Sequence, residues 1–234
     1  MTSDEAIVRT EKLTRTYQQG AVEVQALRAV DFTCRRGEFV ALAGPSGSGK
    51  STLLNQLGTL DHPTSGSVTI AGQEVSGLGR AAAARFRLGH IGFVFQAFNL
   101  LPVLTAYENA EYTLLLQRVP PARRRELVAP LLERVGLADM QHRRPHELSG
   151  GQQQRVAVVR AIAPKPAFVL ADEPTANLDS ESSAALLDLL EELNRSDGIT
   201  FVLASHDAQV IARARRVVRL RDGRIVTDGT PGQA

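Results

Sequence analysis

The 234-residue chain, with 43% hydrophobic and 22% charged residues, is long enough for one well-packed α/β domain and has the composition of an ordinary globular protein. Its net charge of +2 is too small to indicate a nucleic-acid partner by itself. The lone cysteine, Cys34, excludes an internal disulfide, and the chain shows neither a signal peptide nor a run of roughly 18 apolar residues. We therefore expect a protein of the reducing cytoplasm that reaches a membrane only through a partner.

The N-terminal part of the chain predicts strands around one glycine-rich turn. Short β-type runs lie at 22–27 and 30–34. An apolar run at 39–43 predicts a buried strand, which leads through the glycine-rich turn into a helix over about 50–57. Further strands are predicted at 68–70 and 91–95.

The rest of the chain begins with a long helical stretch and then alternates. The helical period over 104–135 is broken at Pro120 and Pro121. The elements predicted after it are a helix at about 149–162, a strand at 167–171, a helix at about 180–194, a strand at 199–204, and short strands at 217–220 and 224–226. The pair Asp222-Gly223 between the last two strands is a two-residue hairpin signal.

This order of elements predicts the fold class. Alternating strands and helices favour a largely parallel sheet with right-handed crossovers. The helical stretch at about 100–164 interrupts the alternation, and we expect it to be a subdomain inserted between two sheet strands. The predicted single domain then has a core built from about 1–99 and 165–234, with no regulatory domain after the last strand.

A phosphate-binding loop is the most specific motif. The stretch 44–52 matches G-x-x-x-x-G-K-[ST] between a buried strand and a helix, where the chemistry requires it. The glycines let backbone N–H groups converge on phosphate, Lys50 can reach the β- and γ-phosphates, and the Ser51 hydroxyl can ligate Mg²⁺. The predicted nucleotide-binding residues of this loop are Gly44, Ser46, Gly47, Ser48, Gly49, Lys50, Ser51 and Thr52.

Two adjacent carboxylates end a predicted strand. Asp172 and Glu173 follow the apolar run 168–171, and the carboxyl ends of parallel strands form the ligand edge of such sheets. Asp172 is the candidate Mg²⁺ ligand, and Glu173 the candidate for polarising the attacking water. A solvated strand end is the alternative interpretation.

A second glycine pair precedes the helix at about 149–162. Ser149 is a good N-cap residue, and Gly150 and Gly151 allow close backbone approach before Gln152. This arrangement indicates a second phosphate-binding helix N-terminus without a lysine of its own. Two γ-phosphate receptors and one nucleotide loop favour a symmetric dimer in which each copy completes the other's site. An ordinary capped helix is the alternative.

Together these motifs resemble those of the ATP-binding cassette family. Residues 148–152 are similar to the family's signature motif, and the phosphate loop and the acidic pair stand in the family's order over essentially the whole chain. The resemblance implies a RecA-like phosphate-loop NTPase fold with an N-terminal antiparallel β subdomain and an inserted α-helical subdomain. It also implies hydrolysis of ATP with Mg²⁺.

The resemblance assigns roles to residues that carry little signal alone. Tyr17 resembles the aromatic residue that stacks on adenine, and Gln96 the glutamine that contacts Mg²⁺ and the attacking water. Asp179 lies in a stretch that resembles the loop crossing the dimer interface, and His206 resembles the histidine that contacts the γ-phosphate. Taken singly, Tyr17 suits a packing role and His206 a surface or capping role.

Three stretches, at 92–102, 104–109 and 170–175, resemble the macrolide-export, lipoprotein-release and cell-division branch of the family. That resemblance implies an ATPase at the cytoplasmic face of the inner membrane that drives a permease subunit on a separate chain. Ser205 stands where threonine is commoner in the family, and Ala176 where glycine is.

Other family branches remain as alternatives. A nutrient-importer ATPase is close to the favoured interpretation, and within the favoured branch a cell-division regulator is also open. A cassette ATPase acting on nucleic acid or ribosomes is the competing class, for which the arginines of 213–221 would be the contact surface. Their near-alternate spacing favours a solvated face instead, and no nucleic-acid partner is expected.

Overall fold

The computed structural model describes residues 6–20 and 22–232, and within them the chain forms two sheets. The first is antiparallel and has the order β2-β1-β4-β5. Its strands are β1 (Ala6–Gln19), β2 (Val22–Arg35), β4 (Ser65–Ile70) and β5 (Gln73–Glu74). The prediction of separate runs at 22–27 and 30–34 was wrong, because Ala29, at φ 49°, lies in a bulge through which one long strand continues.

The second sheet has the order β10-β9-β3-β8-β7-β6, and its neighbours are parallel except for the hairpin pair β9 and β10. Its strands are β3 (Phe39–Ala43), β6 (Ile91–Phe95), β7 (Phe168–Asp172), β8 (Phe201–Ser205), β9 (Arg216–Arg221) and β10 (Arg224–Gly229). At the hairpin, Asp222 and Gly223 both have positive φ, as the predicted two-residue turn requires.

Helices cover both faces of the parallel sheet. They are α1 (Lys50–Leu57), α2 (Arg80–His90), α3 (Ala106–Leu116), α4 (Pro121–Arg134), α5 (Gly150–Ile162), α6 (Ser180–Asp197) and α7 (Ala208–Arg213), with 3₁₀ turns at Ala138–Met140 and Pro145–Glu147. Neither α2 nor α7 was predicted. The first is rich in alanine and buries only Ala83 and Phe86, so its sequence has few of the large apolar residues by which a helix is recognised. In the described part of the chain, every helix is too short or too polar to cross a bilayer.

The core lies on both faces of the parallel sheet. Along β3, Phe39, Ala41 and Ala43 pack into a cluster that includes residues of α3–α6, whereas Val40 and Leu42 pack into a second cluster with α1 and the antiparallel sheet. This alternation shows that the sheet is covered on each side, as apolar strands without a polar face require. The predicted α/β fold, with helices α3–α5 inserted between β6 and β7, is confirmed, and the carboxyl ends of β3, β6, β7 and β8 share one edge.

Candidate functional site

The phosphate loop follows β3 at this edge and can be built only with glycine at two positions. Gly44 has φ 150°, and a Cβ there would lie 2.3 Å from the carbonyl oxygen of Leu220. Gly49 has φ 107°, and a Cβ there would lie 2.7 Å from the carbonyl oxygen of Ala26. The loop is therefore pressed between β2 and the β9–β10 hairpin, and its conformation is set by these neighbours.

Lys50 opens α1 and is buried at the loop. Its Nζ donates to the carbonyl oxygens of Gly44, at 2.8 Å, and Pro45, at 3.1 Å. The ammonium group thus lies at the positive end of α1, so the helix N-terminus and the lysine charge act on the same point. This combination suits a polyanion.

A hydroxyl and a carboxylate meet near the lysine. The Ser51 hydroxyl donates to Oδ1 of Asp172 at 3.2 Å, which joins the start of α1 to the end of β7. Burial raises the pKa of the Asp172 carboxyl above its ordinary value of about 3.8, and the neighbouring charge of Glu173 adds to the rise. The hydrogen bond from Ser51 and the charge of Lys50 act in the opposite direction. The buried Asp172 carboxylate is costly to ionise unless positive charge lies nearby, and it is paired with a hydroxyl. This pair of oxygen groups fits a hard cation such as Mg²⁺.

Glu173 follows directly and is held by its backbone and by its carboxylate. Its backbone has φ 44°, a left-handed conformation that a glutamate adopts at some cost. Its Oε1 lies 2.8 Å from Nδ1 of His206, and its Oε2 accepts a hydrogen bond from the Ser205 hydroxyl at 2.8 Å. The structure therefore brings the predicted carboxylate and histidine into direct contact at the ends of β7 and β8.

Gln96 is exposed at the end of β6. Its Nε2 is 3.5 Å from Oδ1 of Asn177, and Nδ2 of Asn177 donates to the carbonyl oxygen of Gln96 at 3.0 Å. These contacts join the loop after β6 to the loop after β7. They place Gln96 on the rim of the edge where Asp172 ends its strand.

Two side chains of α5 hold the loops after β6 and β7, and sequence analysis did not identify them. Gln154 is fully buried, and its Nε2 donates to the carbonyl oxygens of Pro174, at 2.6 Å, and Phe95, at 3.3 Å. Arg160 donates to the carbonyl oxygens of Phe98, at 2.8 Å, and Asn99, at 2.6 Å. Both residues are polar and lie in a helix that follows a glycine pair, but neither feature indicates by itself which loops they contact.

The signature residues lie at the start of α5. Ser149 caps the helix by accepting from the Gln152 N–H, and Gln152 Oε1 accepts from the Ser149 N–H, which makes a capping box. A Cβ on Gly151 would lie 3.0 Å from Ser182 Oγ, and one on Gly150 would be in ordinary contact with Leu178 and Phe98. Asp179 caps α6 by accepting from Ser182. Among the described residues, those bordering the phosphate-loop cleft do not include any of 149–152 or Asp179.

Tyr17 lies in the cleft, fixed by two neighbours. Its hydroxyl donates to Oδ2 of Asp61 at 2.8 Å, and the Arg15 guanidinium lies 4.4 Å from its ring centroid. Burial and the hydrogen bond to Asp61 raise the pKa of the Tyr17 phenol. The cleft measures about 600 Å³ and is lined by Tyr17, Val24, Ala26, Pro45, Ser46, Gly47, Gly49, Lys50, Ser51, Thr52, Glu173 and His206.

Comparisons with known proteins agree on one family. The family described as "ABC transporter" matches residues 27–176. The lipoprotein-releasing system ATP-binding protein of Anaeromyxobacter dehalogenans is 50% identical over 92% of this chain and 90% of its own length. The macrolide export ATP-binding/permease protein of Hyphomonas neptunium is 49% identical over 97% of this chain, which spans only 35% of that relative. A dimeric ATP-binding cassette solved in a post-hydrolysis state with ADP and phosphate superposes with a TM-score of 0.87, at 40% identity over 95% of this chain and 98% of its own.

Proposed function

Because the chain belongs to the ABC transporter family, as an ATP-binding subunit of the macrolide-export and lipoprotein-release type, we propose that the cleft at the phosphate loop is its site of ATP hydrolysis. One observation carries the proposal. Three distant parts of the sequence, which carry Lys50 and Ser51, Asp172 and Glu173, and His206, meet at the carboxyl edge of the sheet. A lysine, a pair of hard oxygen ligands and a carboxylate beside a histidine are the groups that phosphoryl transfer requires.

ATP binds with its base on Tyr17 and its phosphates on the loop. The ring borders the same cleft as 45–47 and 49–52, so a nucleotide can contact both the ring and the loop. Backbone N–H groups of the loop and the N-terminus of α1 face the phosphates, and Lys50 exchanges its carbonyl contacts for the β- and γ-phosphates.

Ser51, Asp172 and Gln96 are the proposed holders of Mg²⁺. The first two already share a hydrogen bond, and the carboxylate is buried enough to gain from a cation nearby. When bound, the ion supplies positive charge to the β- and γ-phosphate oxygens. Gln96 follows the end of β6 on the rim of the same edge, and its amide oxygen is the proposed third ligand.

Glu173 and His206 position the attacking water. The Glu173 carboxylate accepts one proton of the water as the water oxygen attacks the γ-phosphorus in line. The bond from the γ-phosphorus to the β–γ bridging oxygen breaks, and ADP leaves. His206 is largely exposed, so its ring can turn from Glu173 toward the γ-phosphate. Catalysis then depends on positioning and charge stabilisation.

A second copy of the chain completes each site. Residues 149–152 form a capped helix N-terminus that does not border the chain's own cleft, and Asp179 caps the neighbouring helix. Placed against a partner's nucleotide, the N-terminus of α5 offers N–H groups and a positive dipole to the γ-phosphate. The related cassette solved as a dimer supports this arrangement.

The membrane partner binds a separate cleft of about 360 Å³ between the core and the helical segment 100–164, which we propose moves as a subdomain. Its lining includes Leu60, Phe93, Tyr112 and Leu116, and both leucines are exposed. Exposed apolar side chains around a cleft are typical of a docking surface. The likeness to lipoprotein-release and macrolide-export relatives favours a permease subunit, with this chain at the cytoplasmic face of the inner membrane.

Two substitutions test the assignment of the site. We expect Glu173→Gln to keep ATP affinity while turnover falls by about 100- to 10,000-fold, the range that a general base supplies. We expect Lys50→Ala to lose affinity for a fluorescent ATP analogue. Glu126→Gln, which changes an exposed carboxylate of α4, is the matched control and should behave as wild type. Normal turnover in Glu173→Gln would remove Glu173 from the mechanism.

The partner is identified by capture from native membranes. Tagged Glu173→Gln protein with Mg-ATP should retain a membrane protein with few spans and a large extracytoplasmic domain. Recovery of a many-span permease would indicate an importer, and recovery of ribosomes or DNA alone would refute the membrane partner.

A further inference from the structure

Ser205 is a fully buried polar residue at the end of β8, and its hydroxyl has a defined polarity. The oxygen accepts a hydrogen bond from the Asp207 N–H at 3.1 Å, and the hydroxyl donates to Oε2 of Glu173 at 2.8 Å. Because the backbone N–H can only donate, the hydroxyl proton is directed to the carboxylate. Ser205 is therefore a dedicated donor to Glu173.

The neighbouring loop fixes the N–H that orients Ser205. The carboxylate of Asp207 accepts from Thr175 Oγ1 at 3.2 Å and from the Gln209 N–H at 2.8 Å. Thr175 is itself buried, so its hydroxyl donates to Asp207 from a fixed position in the core. Linked hydrogen bonds of this kind rigidify the groups that they join.

The backbone of Glu173 is held against the same strand. Its N–H donates to the carbonyl oxygen of Ala204 at 2.8 Å, and its own carbonyl oxygen accepts from the Ala176 N–H at 3.2 Å. With φ at 44°, the side chain leaves the backbone in a direction that carries its carboxylate to Ser205. The two residues are thus adjacent because β7 and β8 are paired, and not because of a flexible contact.

The two oxygens of the carboxylate have unlike partners. Oε2 is bound by the fully buried Ser205, whereas Oε1 is bound by His206, whose side chain is 71% exposed. An exposed ring can leave its partner for water or phosphate at little cost, but a buried hydroxyl cannot.

We propose that Ser205 is a positioning residue for ATP hydrolysis, which anchors Oε2 of Glu173 and so leaves Oε1 as the oxygen that receives the proton of the attacking water. The inference rests on the proposed role of Glu173. It assigns to Ser205 a role in kcat rather than in nucleotide affinity, since its hydroxyl points to Glu173 and not into the cleft.

Steady-state and single-turnover kinetics of Ser205→Ala test the inference. A hydrogen bond to a charged group of this kind corresponds to a fall in kcat of about 10- to 100-fold, with KM for ATP changed less than about twofold. Ser205→Thr keeps the hydroxyl and should retain most of the wild-type kcat. Thr200→Ala is the matched control, because it removes a buried hydroxyl that accepts from the Gly37 N–H next to the other end of β8. It should lower thermal stability but leave kcat unchanged.

The Glu173→Gln background separates positioning from structure. If Ser205 acts through the carboxylate, adding Ser205→Ala to Glu173→Gln lowers the single-turnover rate by less than about twofold. An equal loss in both backgrounds, or a kcat of Ser205→Ala within about twofold of wild type, overturns the inference. Unimpaired turnover of Glu173→Gln alone would instead overturn the proposed role of Glu173 and the inference with it.

Discussion

Arg160→Met should release the loop that carries Gln96 without unfolding the protein. The guanidinium of Arg160 reaches from α5 to the carbonyl oxygens of Phe98 and Asn99. Both of these residues have left-handed backbones, with φ 57° and 51°, which non-glycine residues disfavour. Methionine retains most of the packing volume of the arginine and removes both hydrogen bonds.

The size of the effect follows from these contacts. Hydrogen bonds from a charged donor contribute about 1.5–3 kcal/mol each, but the exposed loop can partly replace them with water. Burial lowers the pKa of the Arg160 guanidinium, which shows that its charge is desolvated, and methionine recovers that cost. The loop should therefore lose about 2–3 kcal/mol, which makes its local opening about 30- to 150-fold more frequent.

Amide hydrogen exchange measures this opening residue by residue. The Phe98 N–H, bonded to the carbonyl oxygen of Phe95, should exchange about 30- to 150-fold faster. The Leu101 N–H is held separately by the buried side chain of Asn109, at 2.7 Å, and should keep its protection. Arg155→Met is the control, because Arg155 also lies in α5 but bonds the carbonyl oxygen of Val135.

Unchanged exchange at Phe98 in Arg160→Met would refute the argument. So would an equal rise at Leu101, because that result would mean that the whole segment moves as one unit. A rise at Phe98 in Arg155→Met would mean that α5 as a whole, and not the guanidinium of Arg160, holds the loop.

Two further predictions concern the nucleotide cleft. Burial raises the folded-state pKa of Asp172, so its ionised form destabilises the metal-free fold at neutral pH. Asp172→Asn should therefore have a higher melting temperature than wild type at pH 7. This difference in melting temperature should disappear as the pH falls through the raised pKa of Asp172. If thermal melts show the same difference in melting temperature across that pH range, the effect does not come from the raised pKa of Asp172. Tyr17→Phe removes the hydrogen bond to Asp61 that orients the ring, so KM for ATP should rise by about two- to tenfold while kcat is unchanged, as measured by steady-state ATPase assays. An unchanged KM would show that the ring does not depend on Asp61.

Motifs defined by residue type at fixed spacing could be predicted from the sequence. The phosphate loop, the Asp222-Gly223 hairpin and the Ser149 cap each depend on local backbone geometry, which a few residues determine. The parallel sheet followed from the alternation of apolar runs and helical stretches. The positions of Asp172 and Glu173 at its edge followed from the sheet in turn.

Contacts between distant side chains could not be predicted in this way. Gln154 and Arg160 are polar residues on a helix, and nothing local shows that they reach loops after β6 and β7. Ser205 differs only slightly from the threonine that is commoner at this position, so its residue type did not indicate a special role. Its hydroxyl reaches Glu173 because β7 is paired with β8. Helix α2 escaped prediction because its contribution to the core is small.

The order in which the ribosome makes the chain has a consequence for the phosphate loop. The carbonyl oxygen of Ser48 accepts from the Gly223 N–H at 3.0 Å, and the Gly223 carbonyl oxygen accepts from the Arg28 N–H at 2.8 Å. The loop therefore lacks one of its walls until the β9–β10 hairpin has been synthesised. The complete loop therefore forms only after this hairpin has been made, so ATP cannot guide the folding of the segments that are synthesised before it.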